Sequence, residues 1–275
     1  APPTRPGLSL RAAAVQRWAV ERLSRLRLND TDRNLITTLV AGERRGLDPK
    51  LRADYARTGV SHILSVSGLH MGFVLILVNL LTGWIVMFRR GHLIRNAVVI
   101  AALWTYALMA GLSPPVVRAA LMMSTAQLAF GLSARGDRYN LLLGAATLML
   151  AVNPHYLFDI SFQLSFLAVL SILFLYPRLY RRRLSPIRWV DAPWSSVLLG
   201  IAAQIGTLPL VAYSFGNLPL IAVFINPAVV LCSFIAVCAG FLWLLLPLGF
   251  LNPWLSHLIS GTLWLQNTLI DRASG

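Results

Sequence analysis

Ser61-His62-Ile63-Leu64-Ser65-Val66-Ser67-Gly68-Leu69-His70 gathers three serines, two histidines and a glycine at the head of a long apolar stretch. Lipid satisfies none of their hydrogen bonds, so such groups need protein partners or water. On a helical projection Ser61, Ser65, Gly68, Gly72, Asn79 and Thr82 share one stripe, and Gly68 to Gly72 is a small-xxx-small pair. The stripe suits either close helix packing or the wall of a hydrated path. His70 projects to the opposite side, so it serves another neighbour or lies where the chain is not regular helix. Ser67 and His70 are the residue types of a nucleophile and its base. No third orienting group is legible, so no catalytic residue is expected. The histidines, at 62, 70, 92, 155 and 257, show neither His-x-His nor His-Glu-x-x-His spacing. No metal and no cofactor is expected.

Charges inside apolar stretches are the second pointer, because each costs several kcal/mol unless paired or hydrated. Arg118 follows Pro114-Pro115 within one turn of a predicted span, and Asp159 opens another, one turn before Gln163. If both spans begin outside, the two charges lie at similar depth near the outer mouth. They then form an ion pair, or Arg118 is left to meet a phosphate, which its planar five-donor head suits. Phe162 and Phe166 flank Gln163 at helical spacing and serve either as base-stacking rings or as core.

The elements that must position these groups follow from composition. With 57% hydrophobic and 12% charged residues and a mean hydropathy of +0.67, the chain belongs in a bilayer, with room for about eight spans of about 20 residues. The predicted fold is all-α, a polytopic transmembrane bundle of about eight spans with peripheral amphipathic helices. Spans are placed near 63 to 88, 94 to 112, 116 to 132, 141 to 157, 160 to 176, 197 to 213, 227 to 246 and 254 to 270. Residues 1 to 58, with 12 basic and 6 acidic side chains, read as a basic membrane-peripheral region, and 59 to 275 as the transmembrane domain. Within the first region Ala12, Val15, Ala19, Leu23 and Leu26 fall on one face, while Arg17, Arg25 and Arg27 lie off it. That pattern fits an interfacial helix or a helix packed on the bundle. A second helix is predicted from Asp32 to Arg45, stopping at Gly46, and a third from the Asp48 cap and Pro49 to near Gly59. Asn226-Pro227 predicts a broken or re-entrant helix over 218 to 225, or a surface loop.

The net charge of +14 comes from 24 basic residues, all but one of them arginine. With eight alternating spans the arginine-bearing loops at 89 to 95, 133 to 140 and 177 to 196 fall on one side, which the positive-inside rule makes cytoplasmic. Both termini then face outward. Cys232 and Cys238 lie on different helical faces and are not expected to pair. No charged n-region followed by a cleavage site opens the chain, so no signal peptide is expected.

Three blocks in this order carry a family resemblance. They are Leu39-Val40-Ala41-Gly42-Glu43-Arg44-Arg45-Gly46-Leu47-Asp48 leading into the 58 to 70 segment, Pro115-Val116-Val117-Arg118-Ala119, and Asn153-Pro154 through Phe162-Gln163-Leu164-Ser165-Phe166. Together they resemble the competence domain of ComEC-type DNA uptake proteins. The resemblance implies passage of single-stranded transforming DNA across the bacterial cytoplasmic (inner) membrane. The implied partners are single-stranded DNA, the lipid bilayer and other competence-machinery proteins. Its candidate path residues are Ser61, His62, Ser65, Ser67, Gly68, His70, Gly72, Arg118, Asp159, Phe162, Gln163 and Phe166. Full-length members usually add an outward OB-like domain and a metallo-β-lactamase-like nuclease domain. The nuclease's histidine motif is absent here, so no enzyme activity is expected of these residues. The alternative is a secondary transporter of a small anionic solute, which also uses broken helices and intramembrane arginine.

Overall fold

A computed structural model describes residues 6–131, 137–180, 188–215, 222–246 and 249–274, and all regular structure among them is helical. Three helices precede the apolar stretches: α1 (Pro6–Leu23), α2 (Asp30–Ala41) and α3 (Pro49–Arg57). Then come α4 (Gly68–Leu81), α5 (Gly91–Met109), α6 (Pro114–Gly131), α7 (Arg138–Val152) and α8 (Ile160–Leu179). The last are α9 (Arg188–Phe215), α10 (Ala222–Leu245) and α11 (Asn252–Ser274).

Local chemistry explains the ends. The Asn29 side chain accepts from Asp32 N–H at the head of α2, and Asp48 caps α3 with Pro49 in its first turn, as predicted. The predicted stop of α2 at Gly46 is four residues late. Gly42 takes the left-handed conformation (φ 73°) and its N–H bonds the Thr38 carbonyl, so the helix ends there and Arg44 and Arg45 lie beyond it.

Among the described residues, four helical stretches are long and apolar enough to cross a membrane: Gly91–Met109, Ile160–Leu179, Trp194–Ser214 and Ile225–Leu245. α4 and α7, of 14 and 15 residues, rise only about 21 to 23 Å against about 30 Å of hydrocarbon. α6 and α11 fall below the same measure of apolarity, α6 carrying Arg118 and Gln127, α11 a series of Ser, His, Asn and Gln side chains. The predicted first span is also shorter than expected. Residues 61 to 67 form turns, helix begins only at Gly68, and beyond Thr82 the chain tightens into a 3-10 turn, Gly83–Met87.

The described part of α10 runs unbroken through Pro227, so Asn226-Pro227 does not interrupt it, while 218 to 221 lie outside the described residues. Proline is tolerated there because, so near the helix start, only one carbonyl of the first turn goes without its usual donor.

Direction is the larger departure. α4 and α5 are antiparallel, with Arg95 Nη2 donating to the Asn79 carbonyl (3.2 Å) and Val66 and Ala110 meeting around Gly42 at the other end. Phe234 of α10 packs on Phe73 near the start of α4 (5.2 Å between ring centroids), and Phe241 packs on Tyr106 near the end of α5 (5.0 Å). Phe73 lies further than Tyr106 from the Gly42 end, and Gly240 faces Val40 and Ile36 beside that end, so from 234 to 241 α10 descends toward it, in the same sense as α5. Eight alternating spans would set them opposed. The loops invoked for that alternation include 132–136 and 181–187, which lie outside the described residues.

The core is shared by α1 to α6, α10 and α11. Ala12, Ala19 and Leu23 are buried while Arg17 is exposed, so the predicted apolar face of α1 is its packed face, but the helix predicted to reach Leu28 ends at Leu23, and buried Leu26 and exposed Arg25 and Arg27 lie after it. α11 turns a polar stripe toward these first segments. Asn252 accepts from Arg27 N–H (3.2 Å) and donates to the Arg25 carbonyl (2.9 Å), Ser256 also accepts from Arg27 N–H, and Ser260 donates to Asp32. Deeper, Tyr55 donates to Asn267 (3.0 Å) and accepts from Gln266 Nε2 (2.9 Å), whose Oε1 accepts from Ser233 (3.1 Å). Tyr55, Gln266 and Ser233 are fully buried, and each pairs within the network. Burial pushes the Tyr55 phenol well above its ordinary titration range, so it stays both donor and acceptor.

α8 and α9 form an antiparallel hairpin at very close approach. Ser171 Oγ donates to the Ala202 carbonyl (2.6 Å), and Gly206 faces Ser171 and the Leu167 carbonyl. Leu167, Leu170, Phe174, Leu199, Ile205 and Leu208 are exposed on this pair, the apolar exterior that a helix turned toward lipid requires.

Candidate functional site

The stretch from 61 to 72 is built around the start of α4. Ser61 and His62 are exposed in a turn, with His62 Nδ1 3.3 Å from the Gly59 carbonyl, while Ile63, Leu64 and Val66 are buried. Ser67 is the N-cap. Its Oγ accepts from Leu69 N–H (3.3 Å), and His70, at the position where Glu or Gln usually closes a capping box, returns a bond to the Ser67 backbone N–H. Ser67 Oγ also lies 3.3 Å from His70 Nδ1. This pairing satisfies a helix terminus, a purpose unrelated to nucleophile activation. His70 is completely buried, and acceptance at Nδ1 leaves the neutral ring's proton on Nε2, which meets no partner among the described residues.

The single stripe predicted from a continuous helix therefore does not form. Ser61 and Ser65 precede the helix, and Asn79 and Thr82 spend their side chains on the Leu75 and Val78 carbonyls of α4 itself. Gly68 and Gly72 do share a face. A Cβ on Gly68 would lie 3.4 Å from Ala119 Cβ, and one on Gly72 would lie 3.8 Å from Met123 Cε. The small-xxx-small pair is the seat of α6, and the register 68 to 119, 72 to 123 makes the two helices parallel.

The residue next to Ala119 is Arg118, only 2% exposed. Its Nη2 donates to Ser161 Oγ at 2.6 Å, and its Nε is buried without a partner among the described residues. Asp159 lies within electrostatic range but not within the 4.0 Å of an ion pair. It is spent as the N-cap of α8, accepting from Ser161 N–H at 2.8 Å. Ser161 thus stands between the two charges, bonded to Asp159 through its amide and to Arg118 through its hydroxyl. Sequence reasoning passes over Ser161. Its only signal is the Asp-x-Ser spacing of a cap.

The remaining candidates cluster on the same end of α8. Gln163 Nε2 donates to the Leu157 carbonyl (2.8 Å), closing the 3-10 turn Pro154–Phe158. Phe162 is buried and Phe166 half-buried, their ring centroids 4.4 Å apart and the planes tilted by 38°. The parallel α4 and α6 and the start of α8 therefore bring Ser67, Gly68, His70, Arg118, Asp159 and Phe162 to one end of the bundle. Ser61 and His62 stand in the exposed turn before it. Chemically the arrangement offers a buried guanidinium with Nη2 bound to Ser161, Nε without a partner among the described residues, and its counter-charge held off by a serine.

Comparison with known sequences assigns the chain. The family described as Competence protein matches residues 39–275. ComE operon protein 3 of Bacillus subtilis (strain 168) is 28% identical over 257 residues, covering 87% of this chain and 30% of that protein. An Aquifex aeolicus (strain VF5) protein described only as uncharacterized is 31% identical over 190 residues, covering 69% of this chain and 42% of its own length. The chain thus spans less than half the length of these relatives. No solved structure matches it. Its apolar helices make it a membrane protein, and with the match running through the α4 start, Arg118 and the α8 cap, the chain belongs to the competence protein family.

Proposed function

We infer that these helices form a channel domain that passes single-stranded transforming DNA across the bacterial cytoplasmic membrane, crossing that membrane several times. The observation that supports the reading most directly is Arg118. A guanidinium taken out of water is costly unless its donors are used, and here one is used and Nε is not. A passing phosphodiester supplies two acceptor oxygens and a negative charge, which the planar head meets in a bidentate way. Contact with phosphate carries no sequence information, as import of arbitrary DNA requires. In this reading the chain does no bond-breaking. It works beside other proteins of the competence machinery, with the lipid bilayer as its solvent.

The test is DNA uptake by cells carrying Arg118→Gln or Arg118→Lys, each normalised to the amount of protein in the membrane. A hydrogen bond to a charged group is worth about 1.5 to 3 kcal/mol, so loss of the phosphate contact lowers uptake by roughly ten- to a hundredfold in the glutamine variant. The lysine variant, which keeps the charge but not the fork, retains an intermediate level. Full uptake by Arg118→Gln at wild-type abundance refutes the role.

A further inference from the structure

We propose that the turn between α4 and α5 is a docking site for the headgroups of acidic phospholipids. The turn is tightly built. Ile85 N–H bonds the Thr82 carbonyl (3.0 Å), Phe88 N–H the Ile85 carbonyl (3.2 Å) and Gly91 N–H the Phe88 carbonyl (2.8 Å). Gly91 sits so close beneath it that a Cβ there would lie 1.9 Å from the Ile85 carbonyl oxygen. Arg95 turns back to the Asn79 carbonyl and closes the far side.

This packing forces the apolar side chains outward. Trp84 is 63% and Met87 89% exposed, and Phe88, Leu93 and Ile94 are exposed beside them. Trp84 and Phe88 meet edge to face at 6.0 Å. Directly after this apolar edge come Arg89, Arg90 and His92, all exposed. No acidic residue occurs between Asp54 and Asp137, and neither Arg89 nor Arg90 has an ion-pair partner among the described residues.

Depth fixes the occupant. The 19 residues of α5, a helix long and apolar enough to cross a membrane, rise about 28 Å and match the hydrocarbon thickness. The turn at its head therefore lies at the lipid–water boundary. There an exposed tryptophan sits at headgroup level, and arginines a few residues on reach the phosphate layer. An apolar edge below an uncompensated pair of guanidinium groups is complementary to a lipid that is apolar below and anionic above. It is not complementary to a soluble acidic ligand, which would leave Trp84, Met87 and Phe88 in water.

The experiment uses the intact chain in nanodiscs of mixed phosphatidylglycerol and phosphatidylcholine, one or the other carrying a photoreactive headgroup, with adducts mapped by peptide mass spectrometry. Adducts on residues 83 to 90 are expected to form roughly tenfold or more in favour of the phosphatidylglycerol probe, the preference that two arginines near a surface confer. In R89Q/R90Q the preference falls to near parity, and in R89K/R90K it is kept. Adducts elsewhere on the chain serve as the control for folding. Equal labelling by both probes in the wild-type chain overturns the proposal. Removal of the phosphatidylglycerol adducts by excess single-stranded oligonucleotide also overturns it, assigning the arginines to nucleic acid instead.

Discussion

Replacing Gly206 by alanine tests how α8 and α9 are held. The new Cβ would lie 2.3 Å from Ser171 Cβ, 2.5 Å from its Oγ and 3.2 Å from the Leu167 carbonyl oxygen. Carbon atoms in contact prefer about 3.5 to 4.0 Å, so the helices must part by about 1 Å or more. Overpacking of this kind costs about 1 to 3 kcal/mol. Parting the helices also weakens the bond from Ser171 Oγ to the Ala202 carbonyl, a type worth about 0.6 kcal/mol in membrane bundles. The gain in helix propensity returns about 1 kcal/mol, leaving a net loss of roughly 1 to 3 kcal/mol. In detergent the apparent Tm of Gly206→Ala should fall by about 2 to 10 °C. The nearest obstacle is a Cβ, not a hydroxyl, which sharpens the test. In a Ser171→Gly background Gly206→Ala should become neutral or mildly stabilising, whereas in a Ser171→Ala background it should stay destabilising. A higher Tm for Gly206→Ala alone, or equal rescue by both backgrounds, would refute the packing argument.

At Gly72 the space admits a methyl group but nothing longer, so Gly72→Ala should keep wild-type membrane abundance and DNA uptake. Gly72→Leu should lose both as α4 and α6 separate, which immunoblots and transformation counts will show. Tyr55→Phe removes a buried partner of Gln266 and Asn267 and should cost about 1 to 3 kcal/mol, visible as a lower apparent Tm, while Tyr176→Phe serves as the control. Because α5 and α10 run in one sense, single cysteines at Gly111 and Leu246, in a chain lacking Cys232 and Cys238, should be labelled by an impermeant maleimide from the same face of the membrane. Labelling from opposite faces would restore strict alternation.

Signals confined to a few residues are legible in the sequence. Asp48 before Pro49 marks the start of α3 because a cap and a fixed φ act on their own turn. The apolar face of α1 is equally plain, since Ala12, Ala19 and Leu23 repeat with the helical period. Where two local signals compete, the sequence misleads. Gly42 and Gly46 can both end α2, and only packing against Val66 and Ala110 decides for Gly42. At α4 the apolar run hides a capping box that uses histidine, so the predicted helix begins too early. The site is legible as a set of residue types but not as a geometry. Similar depth for Arg118 and Asp159 suggests an ion pair, and nothing in the spacing reveals that Ser161 is bonded to both. The direction of α10 is the least legible feature, because it rests on Phe234 and Phe241 meeting rings more than a hundred residues away.

The polar stripe of α11 has a consequence for biogenesis. Arg25, Arg27, Asp32 and Tyr55 find partners 211 to 229 residues later in the chain. At about 5 to 20 residues per second, a ribosome needs roughly 10 to 45 s after making these residues to deliver their partners. Throughout that interval the first three helices are complete and α1 and α2 can pack on α5 and α10, yet Asp32, Tyr55 and the backbone of Arg25 and Arg27 still lack these partners. Insertion of the last hairpin is therefore the step that closes the molecule. A chain cut short before Asn252 would leave the polar groups of residues 25 to 55 without these partners, and in the cell it should be removed by membrane proteases sooner than any full-length variant described above.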